Sequence, residues 1–515
     1  VYGYKRYTDV RLVFAPEEAA AFFGGDPDNF TYPRYDFDCS FFRVYENGKP
    51  LKTSNFFKFS KNGAAEGEAV FVIGNPGSTS RLQTVARLEF NRDYTYPLTM
   101  NLLRQSEGVY EKYVARHPET RLKYQTQIFG YANARKSYGG RLDGLRDGYL
   151  MARKKDFEKN FKNAIDSKPE LKVKYGSVWE EIANSENQRT KLFWEVNAYA
   201  FNGLGRSALF GVASNLVEYA KQMKLPEAER EPRYKGAAVE KTKARLFPEE
   251  LLPEIDKDML VIQLTNMQKA FGDRNQQFNS LMGGRTVAQA ANELWDSSIL
   301  ANKEKVTALM NGSGDDILNS TDPFIAFVVK TYAEAKQVRD SYNEILSKEA
   351  GKMQLLGKAI YEAYGTTIPP DATFTLRIAD GVVKGYEYNG TIAPPFTTFY
   401  GLYDRYYSFG KKEPFEVPDR WKNPPADFNL STPFNFVSTN DIIGGNSGSP
   451  MVNKDLEVVG LIFDGNIESL PGDFIFTEEK NRTVSVHSSA LLEGIKKIYK
   501  ADRLAKELES GKIAP

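Results

Sequence analysis

The sequence predicts an α+β protein in which a β-rich architecture is interrupted by a large helical insertion. Three observations carry this. β-type runs bounded by Gly, Pro and Asn turns fill the first 90 residues and return after residue 365. Between them lie long stretches rich in Ala, Leu, Glu, Lys and Gln, with helical periodicity. No internal repeat or low-complexity linker separates these parts, so the helical block reads as an insertion rather than a tethered module.

In order along the chain, Asp9-Val10-Arg11-Leu12-Val13-Phe14 and Ser40-Phe41-Phe42-Arg43-Val44-Tyr45 are strand-like, the second followed by a Glu46-Asn47-Gly48-Lys49 turn. Glu68-Ala69-Val70-Phe71-Val72-Ile73 is a third strand, stopped by Gly74-Asn75-Pro76-Gly77. Helices are expected over 141–162, 178–200, 287–310 and 323–364. After Thr366-Thr367-Ile368-Pro369-Pro370, strands are expected at 373–378 and 457–463, and residues 491–508 close the chain as an amphipathic helix.

Composition excludes several classes. Lys+Arg 68 against Asp+Glu 67 leaves a formal charge of +1, without the basic excess or stripe of a phosphate-gripping protein, so nucleic acid is not an expected partner. The longest apolar run, Phe324 to Val329, is far short of the roughly 20 residues that span a bilayer, so no membrane span is expected. One cysteine, Cys39, excludes an internal disulfide framework and a Cys-based zinc cluster, and no metal site is expected. The 515 residues begin Val1-Tyr2-Gly3 and contain two histidines, His117 and His487. The expectation is that an N-terminal segment belongs to the intact protein, through processing or because the chain is a fragment.

The sharpest local signal is Gly444-Gly445-Asn446-Ser447-Gly448-Ser449-Pro450. A Gly-x-Ser-Gly turn has a chemical use. Gly445 can adopt angles forbidden to other residues, which turns its N–H toward the same point as that of Ser447. Two such donors make an oxyanion hole, with the Ser447 hydroxyl beside it as nucleophile. A bare Gly-x-Ser-Gly is usually an ordinary turn, but here a second Gly precedes it, Ser-Pro follows, and Gly460-Leu461-Ile462-Phe463 stands where a substrate-lining strand belongs. A serine nucleophile needs a base and an orienting acid. Asp38, flanked by aromatics, suits the acid in the order His, Asp, Ser; the competing reading is a carboxylate paired with Arg34 or Arg43. Neither histidine fits that order, since His117 lies between Asp38 and Ser447 and His487 follows the serine. Both read as solvated or packed side chains, and the catalytic histidine is expected outside the chain.

These residues resemble the S46 family of bacterial dipeptidyl peptidases, the group that includes dipeptidyl peptidases 7 and 11. The resemblance runs over essentially the whole chain and is anchored at Gly24-Gly25-Asp26-Pro27-Asp28-Asn29-Phe30-Thr31-Tyr32-Pro33-Arg34, at Asp38 with Phe41-Phe42-Arg43-Val44-Tyr45, at Gly74 to Thr79, at Thr439 to Pro450 and at Gly460 to Asn466. It implies a chymotrypsin-like double β-barrel with an inserted α-helical domain: 1–90 as the remainder of the first barrel, 91–365 as a helical cap, and 366–515 as the second barrel plus a terminal helix. It implies that Ser447 is the nucleophile, Asp38 the triad acid, and Gly445 with Ser447 the oxyanion donors, without a cofactor. It also implies that Asn29 and Asp464 receive the substrate's free α-amino group, because an ammonium offers only donors. Phe30 stands where relatives often have Trp, and Asn133 is a weaker candidate from the helical domain, equally readable as a helix-surface residue. The His487 segment departs from the family pattern of an Asp followed by Arg-Tyr, which leaves open how the last strand and helix pack.

Specificity is expected to turn on the residue after Phe463-Asp464. The dipeptidyl peptidase 11 branch carries Arg there to meet an acidic P1 side chain; here it is Gly465. Glycine would leave an open, uncharged pocket for an apolar P1 residue, unless another cation such as Arg482 reaches it. The reading is therefore a serine exopeptidase releasing N-terminal dipeptides with hydrophobic P1. The alternatives are an enzyme with acidic P1 preference, a non-catalytic binder of peptide termini, and an endopeptidase of the same fold. Peptides with free N-termini are the expected partners, and the resemblance further implies a homodimer at the periplasm or cell surface.

Overall fold

The computed structural model describes residues 3–513 and divides the chain into two compact units. One comprises the residues up to Gln83, Gly140–Lys154 and those from Thr366 onward; the other comprises Thr84–Gly139 and Lys155–Gly365. The helical unit is interrupted, because residues 140–154 go with the strand-rich unit. The cause is visible in the helix Arg121–Arg146. A side-chain carbon at Gly140 would fall 2.4 Å from Leu470, and one at Gly144 would fall 2.7 Å from Pro471. Only glycine lets this end of the helix approach so closely.

Among the described residues the strand-rich unit has thirteen strands: β1 Asp9–Phe14, β2 Phe41–Glu46, β3 Lys49–Pro50, β4 Lys58–Phe59, β5 Ala69–Gly74, β6 Arg377–Val382, β7 Tyr386–Tyr388, β8 Thr391–Ala393, β9 Phe396–Thr398, β10 Pro433–Ser438, β11 Pro450–Val452, β12 Glu457–Gly465 and β13 Thr483–His487. β1, β2 and β3 form a small antiparallel sheet, and β7 with β8 a hairpin. The main sheet runs β6-β5-β11-β12-β13-β10-β9, with β4 added in parallel to β12. Beyond β6, Val383 bridges Ser438 at the end of β10, and Thr439 N–H donates to the Val382 carbonyl at 3.0 Å. The six strands from β6 to β10 therefore curl back on themselves as one barrel. Its interior is Val70, Val72, Val383, Phe436, Ile442, Met451, Val459 and Ile462, all 9% exposed or less. Each such side chain is worth roughly 1.5–3 kcal/mol of burial.

Two expectations are corrected here. β5 does not belong with the rest of the first 90 residues: it lies between β6 and β11 and completes the C-terminal barrel. The remaining N-terminal strands form the three-stranded sheet, so a second closed barrel is not formed among the described residues. The strand expected at 373–378 begins later, at Arg377, because Phe374 takes a left-handed conformation (φ +60°) and donates its N–H to the carbonyls of Pro76 and Gly77.

The second unit is a helical assembly whose core gathers around Phe210, Leu216, Leu264, Phe324 and Ile325, all fully buried. The helix Pro323–Tyr364 has the bounds expected, because Asp322 caps it by accepting from the N–H groups of Phe324 and Ile325, Pro323 opens it and Gly365 follows it. The stretch expected as one helix over 287–310 is two, Val287–Ser297 and Lys303–Asn311. Ser298 and Asn302 each accept backbone N–H bonds of the turn that follows, and such capping side chains compete with helix continuation. The C-terminal amphipathic stretch is likewise broken, into Ser488–Glu493, Gly494–Ile498 and Asp502–Ser510.

Candidate active site

Ser447 sits on the turn between β10 and β11, exposed to solvent, with Gly445 just before it at φ +111°. A side chain at Gly445 would meet the Asn75 carbonyl oxygen at 2.7 Å and the Gly77 nitrogen at 2.8 Å, so both conformation and space demand glycine there. The turn is clamped on both sides. Gly77 N–H donates to the Gly444 carbonyl at 2.8 Å, Gly448 N–H to the Ile462 carbonyl at 2.7 Å, and Ile462 N–H back to the Ser449 carbonyl at 3.1 Å. Asn446 and Ser449 spend their N–H groups within the turn, on the carbonyls of Ile443 and Asn446. The N–H groups of Gly445 and Ser447 have no acceptor among the described residues. A fixed turn with two unused donors, one of them on the residue whose hydroxyl is exposed, has the parts of an oxyanion hole.

Ser447 opens onto a cavity of about 610 Å³, lined also by Tyr4, Ile73, Asn75, Phe374 and Pro450; none of its lining residues is charged. Upstream of the turn, Arg81 makes a two-pronged ion pair with Asp441 and donates Nε–H to the Gly472 carbonyl at 2.9 Å, which ties the loop after β5 to the start of the nucleophile turn.

The second part of the site is built where the N-terminal segment crosses the end of β12. β12 carries an irregularity between Ile462 and Asp464, where it pairs with Ser485 and Val484 of β13. Such bulges re-aim the side chains that follow. Asp464 Oδ2 accepts from Phe30 N–H at 3.0 Å and from Arg34 Nη1 at 2.5 Å, while its Oδ1 accepts from Gly465 N–H at 2.8 Å. Phe30 is held left-handed (φ +59°), an uncommon conformation for a bulky residue, and the turn is closed by Thr31 N–H donating to the Asp28 carbonyl at 3.0 Å. Asn29 is buried beside it. Of the residues expected at an amine site, Phe30 meets Asp464 through its N–H, and Arg34 lies 5.3 Å from the Phe463 ring centre.

Asp38 is exposed and makes no hydrogen bond or ion pair among the described residues. The alternative pairing does not form, because Arg34 goes to Asp464 and Asp36 and Arg43 goes to Glu507. Desolvation by the surrounding protein pushes the Asp38 carboxyl up to about 6, with Arg34 opposing and Asp464 adding to the rise. No described contact joins Asp38 to Ser447. Neither histidine is placed as a base. His487 is fully buried on β13, its Nε2 at 3.0 Å from the Ala64 N–H and its Nδ1 against Ser489, and burial lowers it to about 4. The last strand is thus well packed with histidine in it. His117, in the helical unit, bonds Glu254 at 2.9 Å. Asn133 also lies in the helical unit, partly buried on the helix Arg121–Arg146.

Gly465 is corrected. It is buried on β12 opposite Thr483, and a side-chain carbon there would come 2.5 Å from Ser469 Oγ. The turn Ile467–Asp473 folds back and fills the space, so the glycine admits a protein side chain rather than leaving a pocket open. Arg482 is not a free cation either. It is 2% exposed, and its guanidinium donates to the carbonyls of Lys384, Gly385, Glu478 and Asn481. Sequence reasoning missed the buried cluster of Arg34, Asp36 and Asp464. The available signal was the Arg34-Tyr35-Asp36 spacing just after Pro33, which sends both charged side chains to one side of an extended segment.

Comparison with known proteins agrees with this architecture. The Peptidase S46 family profile matches residues 1–510. An Asp/Glu-specific dipeptidyl-peptidase of Shewanella putrefaciens is 27% identical over 560 residues, covering 97% of this chain and 74% of its own length. Dipeptidyl-peptidase 7 of Porphyromonas endodontalis is 28% identical over 541 residues, covering 98% of this chain and 63% of its own length. The crystal structure of Porphyromonas endodontalis DPP11 in complex with the dipeptide Arg-Glu superposes with a TM-score of 0.78 at 22% identity, covering 98% of this chain and 75% of that one.

Proposed function

The chain belongs to the Peptidase S46 family, and on that premise we propose that it is a serine-type dipeptidyl peptidase releasing N-terminal dipeptides from peptides, with Ser447 as nucleophile. The observation that carries this is the clamped Gly445–Ser447 turn, with its exposed hydroxyl and two unused N–H donors. Ser447 Oγ attacks the scissile carbonyl, its proton passes to a histidine, and the developing oxyanion takes the N–H groups of Gly445 and Ser447. The leaving amine then receives that proton, and water resolves the acyl-enzyme. Asp38, with both carboxylate oxygens uncommitted, holds the histidine in the right tautomer. That histidine is neither His117 nor His487, since both are engaged elsewhere.

The substrate's ammonium is received by Asn29 and by Asp464, beside Phe30. A carboxylate has about four acceptor positions, and Asp464 uses three, which leaves one on Oδ1. Recognition of the free amine at a fixed distance from Ser447 is what makes the cut fall after two residues. For P1 we favour apolar side chains, because the cavity beside Ser447 has no charged lining and both Arg34 and Arg482 are committed to protein partners. An acidic P1 residue would be desolvated there without a counter-charge. A chymotrypsin-like double barrel, its other barrel closed only with strands beyond the described residues, a homodimer and a periplasmic or cell-surface location belong to the same reading. Among the described residues no helix is long and apolar enough to cross a membrane.

The test is dye release from dipeptide substrates with P1 Leu, Phe, Asp or Glu, free and N-acetylated. It uses the 515 residues as they stand and the same chain with whatever its gene encodes upstream. The expected result is cleavage of free-amine, apolar-P1 substrates by the extended protein, abolished in Ser447→Ala. Preference for Asp or Glu overturns the P1 assignment and leaves the nucleophile; cleavage of acetylated substrates points to an endopeptidase; no cleavage at all points to a binder of peptide termini.

A further inference from the structure

Asp464 is held by an arrangement that none of its expected roles requires. It follows the irregularity in β12, where the strand ladder does not by itself fix a side-chain direction, and three donors fix it instead: Gly465 N–H on Oδ1, and Phe30 N–H and Arg34 Nη1 on Oδ2. Two of these donors are backbone groups. The third is a guanidinium 2% exposed, too deep to touch a ligand. Its other arm lies 3.0 Å from Asp36 Oδ2, in a carboxyl that is 1% exposed and has neither oxygen hydrogen-bonded.

The segment carrying both residues is itself stitched in place. Thr397 Oγ1 donates to the Arg34 carbonyl at 2.9 Å, and the Asn435 side chain both accepts from the Asp36 N–H at 2.7 Å and donates to its carbonyl at 2.9 Å. Two buried carboxylates on one buried guanidinium are expensive to keep, since apolar residues of similar volume commonly serve stability as well or better. An arrangement of this kind is explained by what it does to Asp464.

We propose that Arg34 is the positioning residue of the amine-binding site, occupying Oδ2 of Asp464 so that the open acceptor position on Oδ1 faces the peptide's α-ammonium. Asp36 anchors the second arm of the guanidinium and so prevents it from swinging away from Asp464. The inference rests on the reading of Asp464 as an amine receptor.

The experiment is calorimetric binding of Ala-Leu and N-acetyl-Ala-Leu to the 515-residue chain, with the ratio of the two affinities as readout. In the unaltered chain the free amine binds more tightly. Arg34→Lys, which offers a single point charge in place of the fork, is expected to lower that ratio at least tenfold. Arg34→Met combined with Asp36→Leu removes both buried charges together, so it keeps the fold should the lysine variant not, and it is expected to lower the ratio as far. A merely structural role for Arg34 would lower the melting temperature and leave the ratio unchanged; a ratio within twofold of the unaltered chain in either folded variant overturns the proposal. If the unaltered chain shows no preference for the free amine, the assignment of Asp464 fails first, and this inference with it.

Discussion

Arg34 Nη1 donates to Asp464 Oδ2 at 2.5 Å, joining residues 430 positions apart. This one contact ties the Gly24–Arg34 segment to the end of β12, the strand whose Ile462 clamps the Ser447 turn. The candidate nucleophile and the candidate amine-binding carboxylate are thus held by two ends of the same short stretch, Ile462 and Asp464. On the proposed reading, that shared stretch sets how far from the peptide's N-terminus the cut falls.

Gly445→Ala tests the oxyanion turn. The added carbon would sit 2.7 Å from the Asn75 carbonyl oxygen, at a φ that L residues avoid. The expected cost is about 1–3 kcal/mol of stability. The expected loss of kcat in the extended protein is about 100- to 1000-fold, with KM little changed, because the displaced N–H serves only the transition state. Denaturant unfolding and steady-state kinetics read the two effects separately.

Gly465→Ala is expected to destabilise by about 1–3 kcal/mol through overpacking against Ser469 Oγ. Ser469→Gly should recover most of that loss when the two are combined, although it is itself mildly destabilising. A double-mutant cycle on urea midpoints measures the coupling. Additive effects would mean that the two residues do not compete for the same space.

Arg482→Met should cost at least about 3 kcal/mol, because four carbonyl oxygens lose their donor inside the protein. Burial already lowers this guanidinium from its ordinary value, so Arg482→Lys should also be destabilised. The ratio of turnover on Leu against Glu at P1 should not change in Arg482→Lys. A shift of that ratio toward Leu would reveal that Arg482 does meet acidic substrates.

His487 predicts an acid-sensitive fold. Its pKa falls from 6.5 to about 4 because burial opposes the charged form. The unfolded chain therefore binds the proton more readily than the folded one. The stability is fully present above about pH 6.5 and is lost as pH falls toward 4, by about 3 kcal/mol in total. Other groups titrate over the same range, so the comparison is with His487→Gln: urea unfolding between pH 7 and 4 should show a steeper decline in the unaltered chain than in the variant.

What the sequence by itself determined was local chemistry and order. The Gly-Gly-Asn-Ser-Gly run announced a turn that only glycine could make, and the β, helix, β succession announced the insertion, because turn residues and hydrophobic period act within a few positions. Asp322, Pro323 and Gly365 delimited the 42-residue helix for the same reason. Tertiary structure decided everything that depended on distant neighbours. It assigned β5 to the C-terminal barrel, and it filled the space beside Gly465 with Ser469. It sent Arg34 to Asp36 and Asp464 instead of Asp38, and it buried Arg482 among carbonyls. A charged side chain's partner is set by which strands and loops converge on it, and glycine's absent side chain means open space or close packing according to what the fold brings up against it.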